Sequence, residues 1–218
     1  MRRVRLWPRG VDAQAFHPRH RDPELRRALG LTDGDPLLLY VGRLAAEKNL
    51  EALLAAFARL REGREGLRLA LVGDGPLAEE LRHRQLPGVV LAGEQRGVAL
   101  SRWYASGDVF AFPSCSETFG NVVLEAQASG LPVVGFDCQG VNERVTPGGD
   151  GLLVPPGGDF AAALRALVED HTTREKKGRA ARAKAERQDW GPIFDRLERR
   201  YLRLARQGLS NSRRVGRA

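Results

Sequence analysis

Two cysteines, one methionine and four histidines are all that this 218-residue chain holds of the side chains that most often ligate metals or form covalent links. Cys115 and Cys138 are too few for a disulfide framework and have no partners at metal-ligand spacing, so they read as buried free thiols. His17, His20, His83 and His171 are scattered among charged residues without ligand spacing and read as surface histidines. No metal is implied. No apolar run approaches the roughly 18 residues needed to cross a bilayer. The opening Met1-Arg2-Arg3-Val4-Arg5-Leu6-Trp7-Pro8 has no apolar segment of signal-peptide length, so a cytoplasmic location is expected. No G-x-G-x-x-G follows a strand pattern, which argues against a nicotinamide or flavin cofactor.

Lysine is scarce: only Lys48, Lys176, Lys177 and Lys184 stand among 35 basic residues. The net charge of +8 is unevenly spread. Residues 1–30 carry 8 basic and 3 acidic groups, residues 31–170 carry 12 and 19, and residues 171–218 carry 15 and 5. An acidic body with basic ends has no basic stripe with interleaved aromatics, so nucleic acid is not the expected partner. The ends could face a phosphate-rich partner, an anionic membrane surface, with the protein peripheral to it, or simply water. The run from Arg174 to Arg187, with seven basic residues, reads as a solvated helix face.

Six short apolar runs are present, bounded by Gly, Pro or Asp, at 37–42, 68–73, 89–93, 108–112, 132–136 and 151–154. Such runs predict strands buried on both faces. Helical patterns fill the gaps at 47–61, 76–86, 97–106, 119–129 and 158–169. The alternation predicts an α/β fold, a doubly wound parallel sheet whose ligands bind beyond the carboxyl ends of the strands. Residues 1–30 read as a linker, 31–170 as a Rossmann-like domain, 171–209 as C-terminal helices and 210–218 as an irregular tail. In the last helix Ile193, Leu197, Tyr201 and Leu204 form an apolar stripe that needs a covering surface.

Chemistry concentrates in two loops. Gly42-Arg43-Leu44-Ala45-Ala46-Glu47-Lys48 follows the first strand and places a guanidinium and an ammonium where a diphosphate could lie. The segment Pro113-Ser114-Cys115-Ser116-Glu117-Thr118-Phe119-Gly120-Asn121 passes from a strand through a polar loop into a helix. Ser116 or Thr118 can cap that helix, and Gly120 lets a ligand reach its first amides, which makes an anion site. Glu125 lies two turns further on among Val122, Val123, Leu124 and Ala126, and a carboxylate so placed suits sugar or ribose hydroxyls. Asp33-Gly34-Asp35 imitates a metal-binding pair but precedes the first strand and reads as a turn.

The spacing of Glu117 and Glu125, within Pro-Ser-x-x-Glu-Thr-Phe-Gly-x-Val-x-Leu-Glu-Ala-x-Ala-x-Gly-x-Pro-Val-Val, resembles the signature of the family 4 retaining glycosyltransferases. Arg9-Gly10-Val11-Asp12 with Phe16 and Pro18, Gly42-Arg43 with Lys48, Gly73-Asp74-Gly75-Pro76, Tyr104 to Phe110, and Gly140 to Glu143 match in family order. The wording is most similar to the lipid-directed mannosyl- and sulfoquinovosyltransferase branch. Gln139-Gly140 and Asn142 depart from the family's usual Gly-Gly and Pro.

The resemblance implies one half of a GT-B fold that binds a nucleotide-diphospho-sugar as substrate and needs no cofactor. It implies that Arg43 and Lys48, with Gly42, hold the diphosphate, and that Glu125 binds the ribose diol. Glu117 lies beside the donor sugar, and Phe119, Gly120, Asn121 and Val122 line the phosphate and sugar. Gly93 and Arg96 lie near the base. By the same resemblance the catalytic set is Glu117, Arg43 and Lys48, and an N-terminal acceptor-binding domain, which supplies a catalytic His in this family, is missing from this chain. Two other readings remain open: a nucleotide-sugar epimerase of the same architecture, and a non-catalytic sugar-nucleotide-binding module.

Overall fold

The six apolar runs become six parallel strands in the computed structural model, which describes residues 7–117 and 119–215, with side chains as far as Ala205. They are β1 (Leu37–Val41), β2 (Arg68–Val72), β3 (Val89–Gly93), β4 (Val109–Phe112), β5 (Val133–Phe136) and β6 (Gly151–Val154). The order across the sheet is β3-β2-β1-β4-β5-β6. From β1 the chain winds outward through β2 to β3, then returns to lay β4 on the other side of β1, with Leu38 opposite Val109. The order reverses there, and in a doubly wound sheet that reversal opens the crevice in which ligands lie. β1 and β4 are fully buried, as apolar runs without alternating polar residues require. β3 is half-buried throughout, contrary to expectation, because it is an edge strand paired only with β2.

The helices are α1 (Pro23–Ala28), α2 (Leu50–Arg61), α3 (Ala78–Arg84), α4 (Gly97–Ser106), α5 (Asn121–Ala128), α6 (Phe160–Glu169), α7 (His171–Glu186) and α8 (Trp190–Val215). α2 buries Leu50, Leu53, Leu54, Phe57 and Leu60 and packs on α6, while α5 packs on α4 and α7. Residues 1–30 were expected to be linker, yet α1 lies within them. Asp22 caps it through bonds from the amides of Glu24 (2.9 Å) and Leu25 (3.1 Å), and Pro23 takes the first helical position. Arg26, buried, then ties α1 to the body by donating to the carbonyls of Ser106 (2.8 Å) and Asp35 (2.6 Å) and to Asp108 (2.9 Å). Asp35 accepts from the amide and hydroxyl of Thr32, so the Asp33-Gly34-Asp35 segment is a turn.

Four of the seven basic residues from Arg174 to Arg187 turn inward, against the solvated face expected, while Lys176, Arg179 and Arg187 stay exposed. Arg174 donates to the carbonyls of Leu167 and Val168 at the end of α6, and Lys177 to that of Gly148. Arg182 reaches the carbonyls of Ala13, Phe16 and Ala128, and Lys184 pairs with Asp150 at 2.8 Å. Loop and helix-end carbonyls lack regular partners, so cations with long stems satisfy them. α8 begins after the expected break at Asp189 and continues to Val215, so helix is found in 210–215 where irregular chain was expected; 216–218 lie outside the described residues. Ile193 of its stripe is buried, whereas Tyr201 and Leu204 are exposed beside Phe194 and Leu202. Among the described residues no helix is long and apolar enough to cross a membrane.

Candidate donor-binding site

The two chemistry-bearing loops meet above the junction of β1 and β4. After β1 the chain makes a short 3-10 turn, Ala46–Lys48, and Asn49 adopts a left-handed conformation (φ 55°) before α2 starts. Asn is one of the few non-glycine residues at ease there. The turn aims Lys48 across the crevice, where its Nζ lies 3.3 Å from the carbonyl oxygen of Ser116 and 3.4 Å from Glu117 Oε2. Both side chains are mostly buried, 15% and 21% exposed, so this pair is a fixed feature of the floor. Arg43 behaves differently. It is 64% exposed and 3.7 Å from Glu47, a loose surface pair free to turn toward a ligand. Arg43→Ala is therefore expected to weaken nucleoside diphosphate binding by less than about 1 kcal/mol, a smaller loss than at Lys48, measurable by titration calorimetry.

Ser116 does not cap α5. Its hydroxyl donates to the carbonyl of Glu47 instead, bracing the two loops against each other, and Thr118 lies outside the described residues. The cap position is Gly120, left-handed at φ 62° and without a side-chain cap, so the first amides of α5, those of Asn121 and Val122, are left for an anion. Gly140 makes this loop possible. Its φ is 84°, and a Cβ there would stand 2.1 Å from the carbonyl oxygen of Glu117. The glycine missing from the family pattern is at position 139, where Gln139 is exposed, and Asn142 bonds to Asp137 at 2.9 Å, so the departures leave the critical glycine in place.

Arg144, not singled out by sequence, holds the same loop from behind. It donates to the carbonyl of Phe119 at 3.1 Å and to Gln188 at 3.1 Å, and burial pushes its pKa down. Arg9 places its guanidinium carbon 4.1 Å from the centre of the half-exposed Phe119 ring, a cation–π contact from the chain's lead-in segment. The cysteines correct the expectation of buried free thiols: Cys115 and Cys138 form a disulfide, with Cα atoms 5.1 Å apart, and neither is buried. The reason lies in topology. Loops leaving adjacent parallel strands, β4 and β5, emerge side by side at the same end of the sheet.

Glu125 is half-buried against α4 rather than on a solvated helix face. Tyr104 of α4 donates a 2.9 Å bond to Glu125 Oε2, and burial raises the carboxyl pKa above its usual value while that bond opposes the rise. Gly93 and Arg96 lie at the end of the edge strand, two strands away from β1. Arg96 is exposed and paired to Glu94 at 2.7 Å, and among the described residues neither bonds to Lys48 or Glu117. No cluster of three or more potential metal ligands occurs among the described residues.

The reversed strand order and the loops that meet at it define a Rossmann-like domain of the GT-B glycosyltransferase type. The chain belongs to the family of group 1 glycosyl transferases, which residues 35–170 match. It is 43% identical to the sulfoquinovosyl transferase SQD2 of Arabidopsis thaliana over 197 residues, covering 86% of this chain and 37% of that protein. It is 41% identical to a GDP-mannose-dependent alpha-mannosyltransferase of Mycolicibacterium smegmatis over 199 residues, covering 91% of this chain and 51% of that protein. Among solved structures it resembles Anabaena HepE in complex with UDP-glucose, with a TM-score of 0.74 and 25% identity over 88% of this chain and 55% of that one. The chain thus spans about half or less of the length of the two curated relatives.

Proposed function

We propose that this chain is the donor-binding domain of a retaining glycosyltransferase, which moves a sugar from a nucleotide-diphospho-sugar to an acceptor held by a second domain outside this sequence. The observation that carries the reading is the half-buried Lys48–Glu117 pair, 3.4 Å apart, at the β1/β4 reversal beside the uncapped start of α5. That arrangement supports the reading, because a leaving diphosphate needs a cation and free amides beside it. In the reaction the bond from the anomeric carbon to the β-phosphate oxygen breaks, and the electron pair departs with the phosphate. The acceptor oxygen bonds to the same face of that carbon and gives its proton to the departing phosphate. Lys48, the α5 amides and Arg43 stabilise the charge on the leaving group, and Glu117 lies beside the sugar that becomes cationic. The complex of HepE with UDP-glucose and the GDP-mannose dependence of the mycobacterial relative support a nucleotide-sugar donor.

Titration calorimetry with UDP, GDP and their 2′-deoxy analogues tests the reading. Glu125→Ala is expected to weaken the better ribonucleoside diphosphate at least about tenfold, the worth of a hydrogen bond to a charged group, and to weaken the 2′-deoxy analogue, which keeps only the 3′-hydroxyl as partner, by less. Failure of the wild-type chain to bind any of these would overturn the assignment.

A further inference from the structure

The site rests on a row of four aromatic rings. Tyr40 of β1 stacks on Phe112 of β4 at 5.9 Å, Phe112 on Phe110 at 5.6 Å, and Phe110 lies 5.9 Å from Tyr104 of α4. Phe110 and Phe112 are two apart on a strand and so share a face of the sheet. All four are at most 1% exposed. The middle of the row is hydrocarbon and each end is a phenol. Each hydroxyl reaches a different part of the site: Tyr40 donates to the carbonyl of Arg43 at 2.9 Å, and Tyr104 donates to Glu125 Oε2 at 2.9 Å.

A buried hydroxyl must find a partner, but these two are bonded to the diphosphate loop and to the ribose carboxylate. We propose that Tyr40 and Tyr104 are positioning residues, one for each end of the donor, joined by the ring row so that the two ends are held at a fixed separation. The inference rests on the donor-site reading above. Tyr40 fixes the turn that carries Arg43. Tyr104 fixes one oxygen of Glu125, directs the carboxylate toward the crevice and favours its ionised form. Its own proton is secure, because burial and the neighbouring Glu125 both push the phenol pKa up. No other charged group among the described residues bonds to Glu125 from the elements packed on α5. Arg182 and Lys184 of α7 are held by backbone carbonyls, Glu186 and Asp150, Arg144 by Phe119 and Gln188, and Lys48 by Glu117. β4 and β5 offer α5 only apolar side chains.

The test uses the whole chain as wild type, Tyr40→Phe and Tyr104→Phe. Each is titrated with UDP or GDP, whichever wild type binds more tightly, with the matching nucleoside and the 2′-deoxy diphosphate, from about pH 5 to about pH 9. Tyr104→Phe is expected to weaken the ribonucleoside diphosphate roughly fivefold, less than Glu125→Ala does, and to weaken the 2′-deoxy form by less again. Binding needs the ionised carboxylate, so affinity falls as pH drops through the raised pKa of Glu125. Without its donor that carboxyl protonates more readily, and the fall should begin at a higher pH. Tyr40→Phe is expected to weaken the diphosphate roughly fivefold, leave the nucleoside unchanged and keep the wild-type pH profile. The inference is overturned if both variants weaken every probe in the same proportion with one pH profile, as loss of packing would, or if neither changes anything. Wild type that binds none of the probes overturns the donor-site reading and this inference with it, an outcome distinct from binding that the variants leave intact.

Discussion

The purified 218-residue chain is expected to bind its nucleotide sugar and to transfer no sugar. On the proposed reading its donor contacts come from loops above a sheet whose core, from Leu31 to Leu167, is closed within one domain, so folding and binding are expected to need nothing further. Transfer needs an acceptor oxygen about 3–3.5 Å from the anomeric carbon, and holding it there is worth about 7–11 kcal/mol, or more than about five orders of magnitude in rate. On the proposed reading the described loops supply only the donor side, and the chain spans 37% and 51% of the two relatives compared with it. Calorimetry with the preferred donor, followed on the same sample by a product assay sensitive to single turnovers, separates binding from transfer. Affinity in the micromolar to millimolar range without product is the expected pair of results. Acceptor-dependent turnover by this chain alone would sink the division of labour proposed here.

Strands were the most legible part of the fold because apolar runs bounded by Gly, Pro and Asp have few other uses. β1 and β4 start and end within a residue of the runs that predicted them. α1 was legible too, since Asp22-Pro23-Glu24 is a cap, a first-turn proline and a first-turn acid. It lies in a stretch that reads as linker because Pro8, Gly10 and Pro18 precede it without any periodicity. The inward turn of the α7 cations was not legible: no local rule says that Lys177 and Arg182 will meet carbonyls from Gly148 and Ala13, far along the chain. The same holds for the disulfide. Cys115 and Cys138 are 23 residues apart, and only the adjacency of β4 and β5 brings them together.

Within the site, Glu117, Glu125, Lys48 and Gly120 carry local signals, namely a spacing, a loop position or a glycine at a helix start. The residues behind them do not. Tyr40 reads as one more apolar residue of a strand and Arg144 as one more cation after Glu143, yet both bond to site loops. Each supports a backbone carbonyl, and such a contact leaves no trace in spacing. Sequence therefore shows the groups that face a ligand more readily than those that hold them in place.

Lys48→Ala is expected to cost about 1.5–3 kcal/mol of nucleoside diphosphate affinity, roughly 10- to 150-fold, with the matching nucleoside unaffected. The ammonium is already placed, 15% exposed and held by Ser116 and Glu117, so little side-chain entropy is lost when phosphate arrives. Its removal has a second consequence. Glu117, 21% exposed, is left as an uncompensated carboxylate facing an incoming dianion, and like charges in a partly desolvated site repel. The two residues should therefore be coupled. Glu117→Gln placed on Lys48→Ala removes the repulsion, so the double variant should bind the diphosphate better than Lys48→Ala alone, although it lacks both members of the pair. Arg43→Ala offers the contrast, since its exposed guanidinium leaves no buried charge behind. Calorimetry of UDP against uridine, or GDP against guanosine, across wild type, both single variants and the double variant reads the whole cycle. Equal losses for nucleotide and nucleoside would show that Lys48 does not meet phosphate. Additive losses with a clear diphosphate effect would show that it does so without Glu117 facing the same ligand.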